Sequence, residues 1–225
     1  MKIASRSHRQ AKGRLRGLLA ARDHPQLLAW AAGDPGVMGL LTSLLFEPDE
    51  LIVWRAIEGL GKAAGLRAES DLESVRDLLR RFIWAMNDES GSLIWRAPEA
   101  MGETLANVTA LVGEYGTILA SYLREEPFER GVHWAIARIA GLAPATIAES
   151  LNELVRSLSM ADPYLRAHAG IALATLGAKR PALALLRLAH DPAQLTVYDF
   201  TSGLLRTSTV GREVQGALSQ SDGRS

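Results

Sequence analysis

The chain has 225 residues, 25 Lys and Arg against 25 Asp and Glu, and 48% apolar residues, a length and composition that build one sizeable core as a single domain or one continuous array. With no run of about 18 apolar residues it is expected to cross no membrane as a helix. It has no cysteine, which excludes disulfides, thiolate zinc sites and thiol nucleophiles and fits a reducing, cytoplasmic setting.

The charge balance is uneven along the chain. Residues 1–22 carry Lys2, Arg6, Arg9, Lys12, Arg14, Arg16 and Arg22 and no acid, leaving 18 basic against 25 acidic residues, a net −7, for the rest. This basic start lacks the apolar core of a secretory leader, and its Leu15, Leu18 and Leu19 recur at helical spacing. Residues 1–33 are therefore expected to form basic capping helices. As a charge run, however, the segment reads first as a solvated arm lying loosely on the acidic body.

Five of the nine prolines follow an acid, at Asp34-Pro35, Glu47-Pro48, Glu126-Pro127, Asp162-Pro163 and Asp191-Pro192. Each pair predicts a helix start, because proline lacks the N–H that would be unpaired there and a preceding acid can accept the next free ones. From Ser70 to Met86, Leu72, Val75, Leu78, Leu79, Phe82, Ile83 and Met86 form one helical stripe, with Ser70 and Glu73 as its capping box. Val108, Leu111, Val112, Tyr115, Leu119 and Tyr122 form a second stripe. A third, from near Thr146 and Glu149, has Ile147, Leu151, Leu154, Val155 and Leu158.

Between these amphipathic helices, Leu51 to Trp54, Ser92 to Trp95 and Gly131 to Trp134 open with nearly continuous apolar runs, the pattern of helices covered on several sides. Amphipathic and buried helices thus alternate, and short connections force each pair to lie antiparallel. No segment reads as an alternating strand. Residues 34–206 are assigned to helix-pair repeats and 207–225 to a C-terminal cap and tail, with 208–219 closing the stack.

The repeat is visible in the letters. Trp54-Arg55-Ala56-Ile57-Glu58-Gly59-Leu60-Gly61 is echoed by Trp95-Arg96-Ala97-Pro98-Glu99-Ala100-Met101-Gly102 and more faintly by Trp134 to Gly141. The tryptophans lie 41 and 39 residues apart, within the range of HEAT and armadillo helix pairs. Each copy has a glycine seven places on, where a left-handed helix cap is expected. A fourth unit, Asp162 to Gly177, with its Asp, Leu165-Arg166, alanine run and Leu176-Gly177, resembles the inner helix of the bacterial HEAT-like repeat of phycobilisome lyase-type proteins. The stretch from Leu41 to Ala143 resembles an uncharacterised family of bacterial HEAT-repeat proteins. The resemblance implies an all-α, HEAT/armadillo-like right-handed superhelix of about five antiparallel helix pairs, and it brings no assigned activity.

Residues four apart share a helix face, which puts Trp54 over Glu58, Trp95 over Glu99 and Trp134 over Arg138. One reading is a structural ladder in which Glu99 pairs with Arg138 across a joint. The other places Trp54, Arg55, Glu58, Trp95, Arg96, Glu99, Trp134 and Arg138 on the concave surface that inner helices line, with Arg55 and Arg96 forming one patch toward a partner. Pro98 predicts a helix start or kink near Ala97, and Asn87 to Gly91 reads as a turn.

The five histidines are scattered without a His-Glu dyad, and Glu99 with Glu103 reads as a solvated face rather than a cation site. No nucleophile elbow, phosphate loop or dinucleotide fingerprint occurs. The expectation is a non-catalytic scaffold without cofactor or metal that binds a protein partner through its concave face. Nucleic-acid binding or base excision is the alternative, disfavoured by the acidic body. Small-molecule or cofactor handling, as in lyase-type HEAT proteins, is a third. Mixed charge on the concave face would favour protein, and continuous positive charge nucleic acid.

Overall fold

The computed structural model describes residues 2–87, 93–177 and 182–222; of the turn expected at Asn87 to Gly91, the part from Asp88 on lies outside the described residues. In chain order the elements are α1 (Lys2–Ala21), α2 (His24–Gly33), α3 (Gly36–Ser43), α4 (Glu50–Ala68), α5 (Leu72–Met86), α6 (Ala97–Asn107) and α7 (Val112–Ser121). They continue with α8 (Glu129–Ile139), α9 (Pro144–Ile147), α10 (Leu151–Ser157), α11 (Pro163–Thr175), α12 (Ala182–Leu188), β1 (Gln194–Asp199), β2 (Leu204–Thr209) and α13 (Val210–Asp222). No helix among the described residues is long and apolar enough to cross a membrane.

The inner row is α4 on α6, α6 on α8, α8 on α11 and α11 on α13, with α5, α7, α10 and α12 packed outside it. This is an all-α solenoid of helix pairs. The basic start is no loose arm: Leu15 and Leu19 are buried, α1 packs on α4, and Lys12 and Arg16 pair with Glu47 at 2.9 and 3.6 Å. A solenoid end left bare would expose such an apolar face.

Local chemistry explains where the helices begin. Asp49 caps α4 by accepting from the Leu51 and Ile52 N–H groups at 3.1 and 3.3 Å, and Asp162 caps α11 through Tyr164 N–H at 2.9 Å with Pro163 in its first turn. The cap of α5 is Asp71, not Ser70, and it accepts from Ser74 N–H at 3.1 Å while gripping Arg67 at 2.7 Å. Pro98 stands in the first turn of α6, as expected for an irregular start there. The helix expected from Thr146 is split into α9, a short 3-10 turn and α10, and Val155 is exposed.

Two expectations need correction. Gly61 and Gly102 are not left-handed caps but lie inside α4 and α6, where a Cβ on Gly102 would stand 2.6 Å from the Ala135 Cβ of α8. They let neighbouring inner helices touch. Gly177, with φ +62, does close α11 in the left-handed conformation.

The second correction is a β-hairpin where no strand was expected. Asp191-Pro192 starts no helix: Asp191 accepts from Ala193 N–H at 2.8 Å and leads into β1. β1 and β2 pair antiparallel, with Thr196 opposite Thr207 and Asp199 opposite Leu204, so the hairpin runs across the expected boundary at 206/207. Val197, Thr207 and Thr209 are β-branched, and Thr201-Ser202-Gly203 supplies the turn, with Gly203 at φ +69.

Candidate functional site

The hairpin starts at the C-terminal end of the solenoid and crosses the inner-helix face back to its N-terminal end. At its tip the Arg22 guanidinium donates to the carbonyls of Phe200 and Thr201, and Arg55 donates to the Gly203 carbonyl at 3.1 Å. The Tyr198 ring stacks on Trp54 with centroids 5.7 Å apart. Phe200 stacks on Trp134 at 6.1 Å and lies under the Arg138 guanidinium at 4.7 Å. Trp54 and Trp134 themselves touch at 5.1 Å, so two of the three repeat tryptophans form one aromatic floor.

Glu58 sits at the centre of this junction, 2% exposed. Arg22 grips both of its oxygens at 2.9 and 3.2 Å, and the Tyr198 hydroxyl donates to Oε2 at 2.6 Å. His24 and Lys62 lie 3.6 and 3.9 Å away. Burial by itself would raise the carboxyl, but the hydrogen bonds from Arg22 and Tyr198 outweigh it and hold Glu58 below the ordinary carboxylate range. Burial and the same carboxylate push the Tyr198 phenol up.

The other expected site residues have partners within the chain. Arg55 also donates to the Leu19 and Ala20 carbonyls at 3.2 and 2.6 Å, and so ties α4 to the end of α1. Arg96 bridges Glu50 of α4 and Glu99 of α6 at 3.0 and 2.8 Å and lies over Trp54. Glu99 does not reach Arg138, which pairs instead with Glu103 at 2.7 Å, one turn further along α6. Glu99 Oε2 is buried without a hydrogen bond, and burial raises both Glu99 and Glu103 despite their arginines.

Trp95 stands apart. It precedes α6, and 61% of it is exposed, because Pro98 moves the helix start past it. Trp95→Ala is therefore expected to cost less than about 1 kcal/mol in a urea melt, against the 3–5 kcal/mol of a core tryptophan.

Between the hairpin and the inner helices a cavity of about 890 Å³ remains. Its aromatic walls are Trp54, Trp134, Tyr164, Tyr198 and Phe200. Its charges alternate: Arg96 meets Glu99, and Arg206 meets Glu213 at 2.8 Å. Arg130 pairs with Asp162 and covers the Tyr164 ring at 4.7 Å. Only Arg212 brings to the cavity a guanidinium that has no partner among the described residues. No group of three or more His, Asp and Glu among the described residues could hold a metal ion.

His168 of α11 also lines the cavity, its Nδ1 bonded to the Tyr164 carbonyl at 2.8 Å. Burial lowers its pKa to about 4, and burial lowers His133 on α8 as well. A histidine that resists protonation in the fold and accepts it when unfolded destabilises the protein as pH falls from about 6.5 toward 4. Between pH 7 and 5 the His168 contribution is a loss of about 2 kcal/mol. Urea melts of wild type and His168→Leu should differ in pH dependence by that amount, the variant being flatter.

Tyr198, Phe200, Arg22, Tyr164 and His168 were not singled out as site residues from the sequence. The one signal available was the strand-favouring run Leu195-Thr196-Val197-Tyr198 ahead of Thr201-Ser202-Gly203, which the helical period elsewhere overshadowed.

The chain matches no protein-family model. It is 31% identical over 142 residues to an uncharacterized protein of Archaeoglobus fulgidus, covering 61% of this chain and 73% of the relative. Its fold is similar to that of an engineered protein solved by a structural genomics consortium, with a TM-score of 0.54 and 19% identity over 95% of this chain and 97% of that one. A designed armadillo repeat protein is similar with a TM-score of 0.53 and 20% identity, over 93% and 91% of the two chains. At these identities both speak to the fold alone, an armadillo/HEAT-like helical array.

Proposed function

Because the chain belongs to the same family as the Archaeoglobus fulgidus protein and folds as an armadillo/HEAT-like solenoid, we propose that it is a non-catalytic scaffold holding an extended segment of a protein partner in its concave groove. The observation that carries this reading is that the groove already holds a polypeptide, the hairpin of β1 and β2. It does so by main-chain carbonyls, which Arg22 and Arg55 grip, and by aromatic side chains, which Trp54 and Trp134 receive.

The alternating, mostly paired charges of the cavity support protein over nucleic acid, since phosphate would have to displace Glu99, Asp162 and Glu213 from their arginines. The resemblance of residues 162–177 to lyase-type repeats is that of one inner helix, α11, and brings no ligand with it.

Selection of displayed peptides on the wild-type protein tests the reading. Enriched peptides should lose at least about tenfold in affinity on Ala137→Trp, which fills the cavity from α8. The reading fails if no peptide is enriched while single-stranded or duplex DNA is retained in a salt-sensitive way.

A further inference from the structure

We propose that the surface between Trp54 and Trp134 is a docking site for a partner's turn segment bearing two aromatic side chains, and that the hairpin tip occupies it in cis as a built-in competitor. The inference rests on the concave face being a protein-binding surface and names what one end of it recognises.

The tip meets this surface as a ligand would. Among the described residues every hydrogen bond between the tip and the helices runs through a side chain: Arg22 and Arg55 to carbonyls, and Tyr198 to Glu58. No main-chain bond joins the two, so the tip can leave without unwinding a helix turn. The inner joints are different, closed by backbone contact of Gly102 on Ala135.

The hairpin has little else to hold it there. A two-stranded hairpin is marginal in water by itself, and beside the cavity the middle of β1 meets α11 through the Thr196 N–H on the Tyr164 hydroxyl at 3.1 Å, again a bond to a side chain. Its base is fixed by Val210 N–H on the Ala193 carbonyl at 3.0 Å and by Arg166 on Asp191 at 2.8 Å. Opening therefore pivots about the base, in the manner of a local unit less stable than the whole.

Opening uncovers Trp54, Trp134, Arg22, Arg55, Glu58 and Arg138 together. Tryptophan and arginine in a pocket that becomes desolvated on binding are the residues that dominate interface energy. The occupant now seated shows what fits: a phenol that reaches Glu58, a second ring under Arg138, and carbonyls turned outward by a tight bend.

Gly203 supplies the handle for a test. Its φ is +69, and any β-carbon there would collide with the Arg22 side chain, so Gly203→Val keeps the tip from docking. A fluorescein-labelled synthetic peptide spanning residues 194–209, read by fluorescence polarisation, is the probe. It should bind Gly203→Val at least about tenfold tighter than wild type, whose site is occupied for most of the time. Glu58→Gln in the Gly203→Val background should remove that gain.

Equal binding to wild type and Gly203→Val, or no binding to a Gly203→Val protein with native helical circular dichroism, overturns the proposal. Hydrogen exchange of the wild-type protein gives a second measurement that needs no variant. Amides of residues 196–206 should exchange through an opening that leaves α4, α6 and α8 protected, and exchange only together with those helices overturns it. Ala137→Trp acts on a cavity that Trp54, Trp134 and Phe200 also line, so the two proposals are told apart by hydrogen exchange of residues 196–206, which reads the opening of the tip with no peptide present.

Discussion

Replacing Glu58 by alanine is expected to lower the stability of the protein by about 3–5 kcal/mol, the range for removing one partner of a buried ion pair. The loss comes from what stays behind. Arg22 would keep its charge in a place where both guanidinium contacts to Glu58 are gone, and the Tyr198 hydroxyl would lose its acceptor. Since a domain has only about 5–15 kcal/mol in total, a urea melt should show a large drop in midpoint. Tyr198→Phe should cost far less, about 1 kcal/mol, because it removes one hydrogen bond and leaves the pair intact. The sign with pH also follows. A carboxyl held below its unfolded value stabilises the fold above that value, and the contribution fades as pH falls through the folded pKa. The wild-type advantage over Glu58→Ala should therefore be full at neutral pH and shrink only in acid.

Gly102→Val is expected to cost about 3 kcal/mol, at the upper end of overpacking losses. The nearest atoms a β-carbon would meet are the Cβ and Cα of Ala135, at 2.6 and 2.7 Å. Neither can rotate away, so α6 and α8 must separate, and the joint lies in the middle of the inner row. Gly113→Ala is the control, because a Cβ there meets nothing within 4 Å. In α7 that change should stabilise by about 0.5–1 kcal/mol through helix propensity and a less flexible unfolded chain. Thermal melts of the two variants should move in opposite directions, and a mild effect of Gly102→Val would mean that the inner helices do not depend on this contact.

The sequence by itself determined the helical class, the order of inner and outer helices and the repeat, because these rest on local periodicity and on caps such as Asp49 and Asp162 that act within one turn. It also singled out Trp54, Glu58, Trp134 and Arg138, since a repeated pattern places equivalent residues on one face. Their partners were beyond its reach. Glu58 is joined to Tyr198 across 140 residues and Arg22 to Thr201 across 179, and no local pattern encodes which distant segment will cover a surface. The three echoes of the repeat also proved unequal in space, because Pro98 shifts the start of α6 beyond Trp95 and leaves that ring in solvent while Trp54 and Trp134 meet. The glycines seven places on looked like caps in the sequence, and whether Gly61 and Gly102 end a helix or admit a neighbour depends on what approaches from the next repeat. Tertiary structure alone decided these matters, because they are set by the shape of the stack and by a hairpin whose short strands gain their stability only against the face they cover.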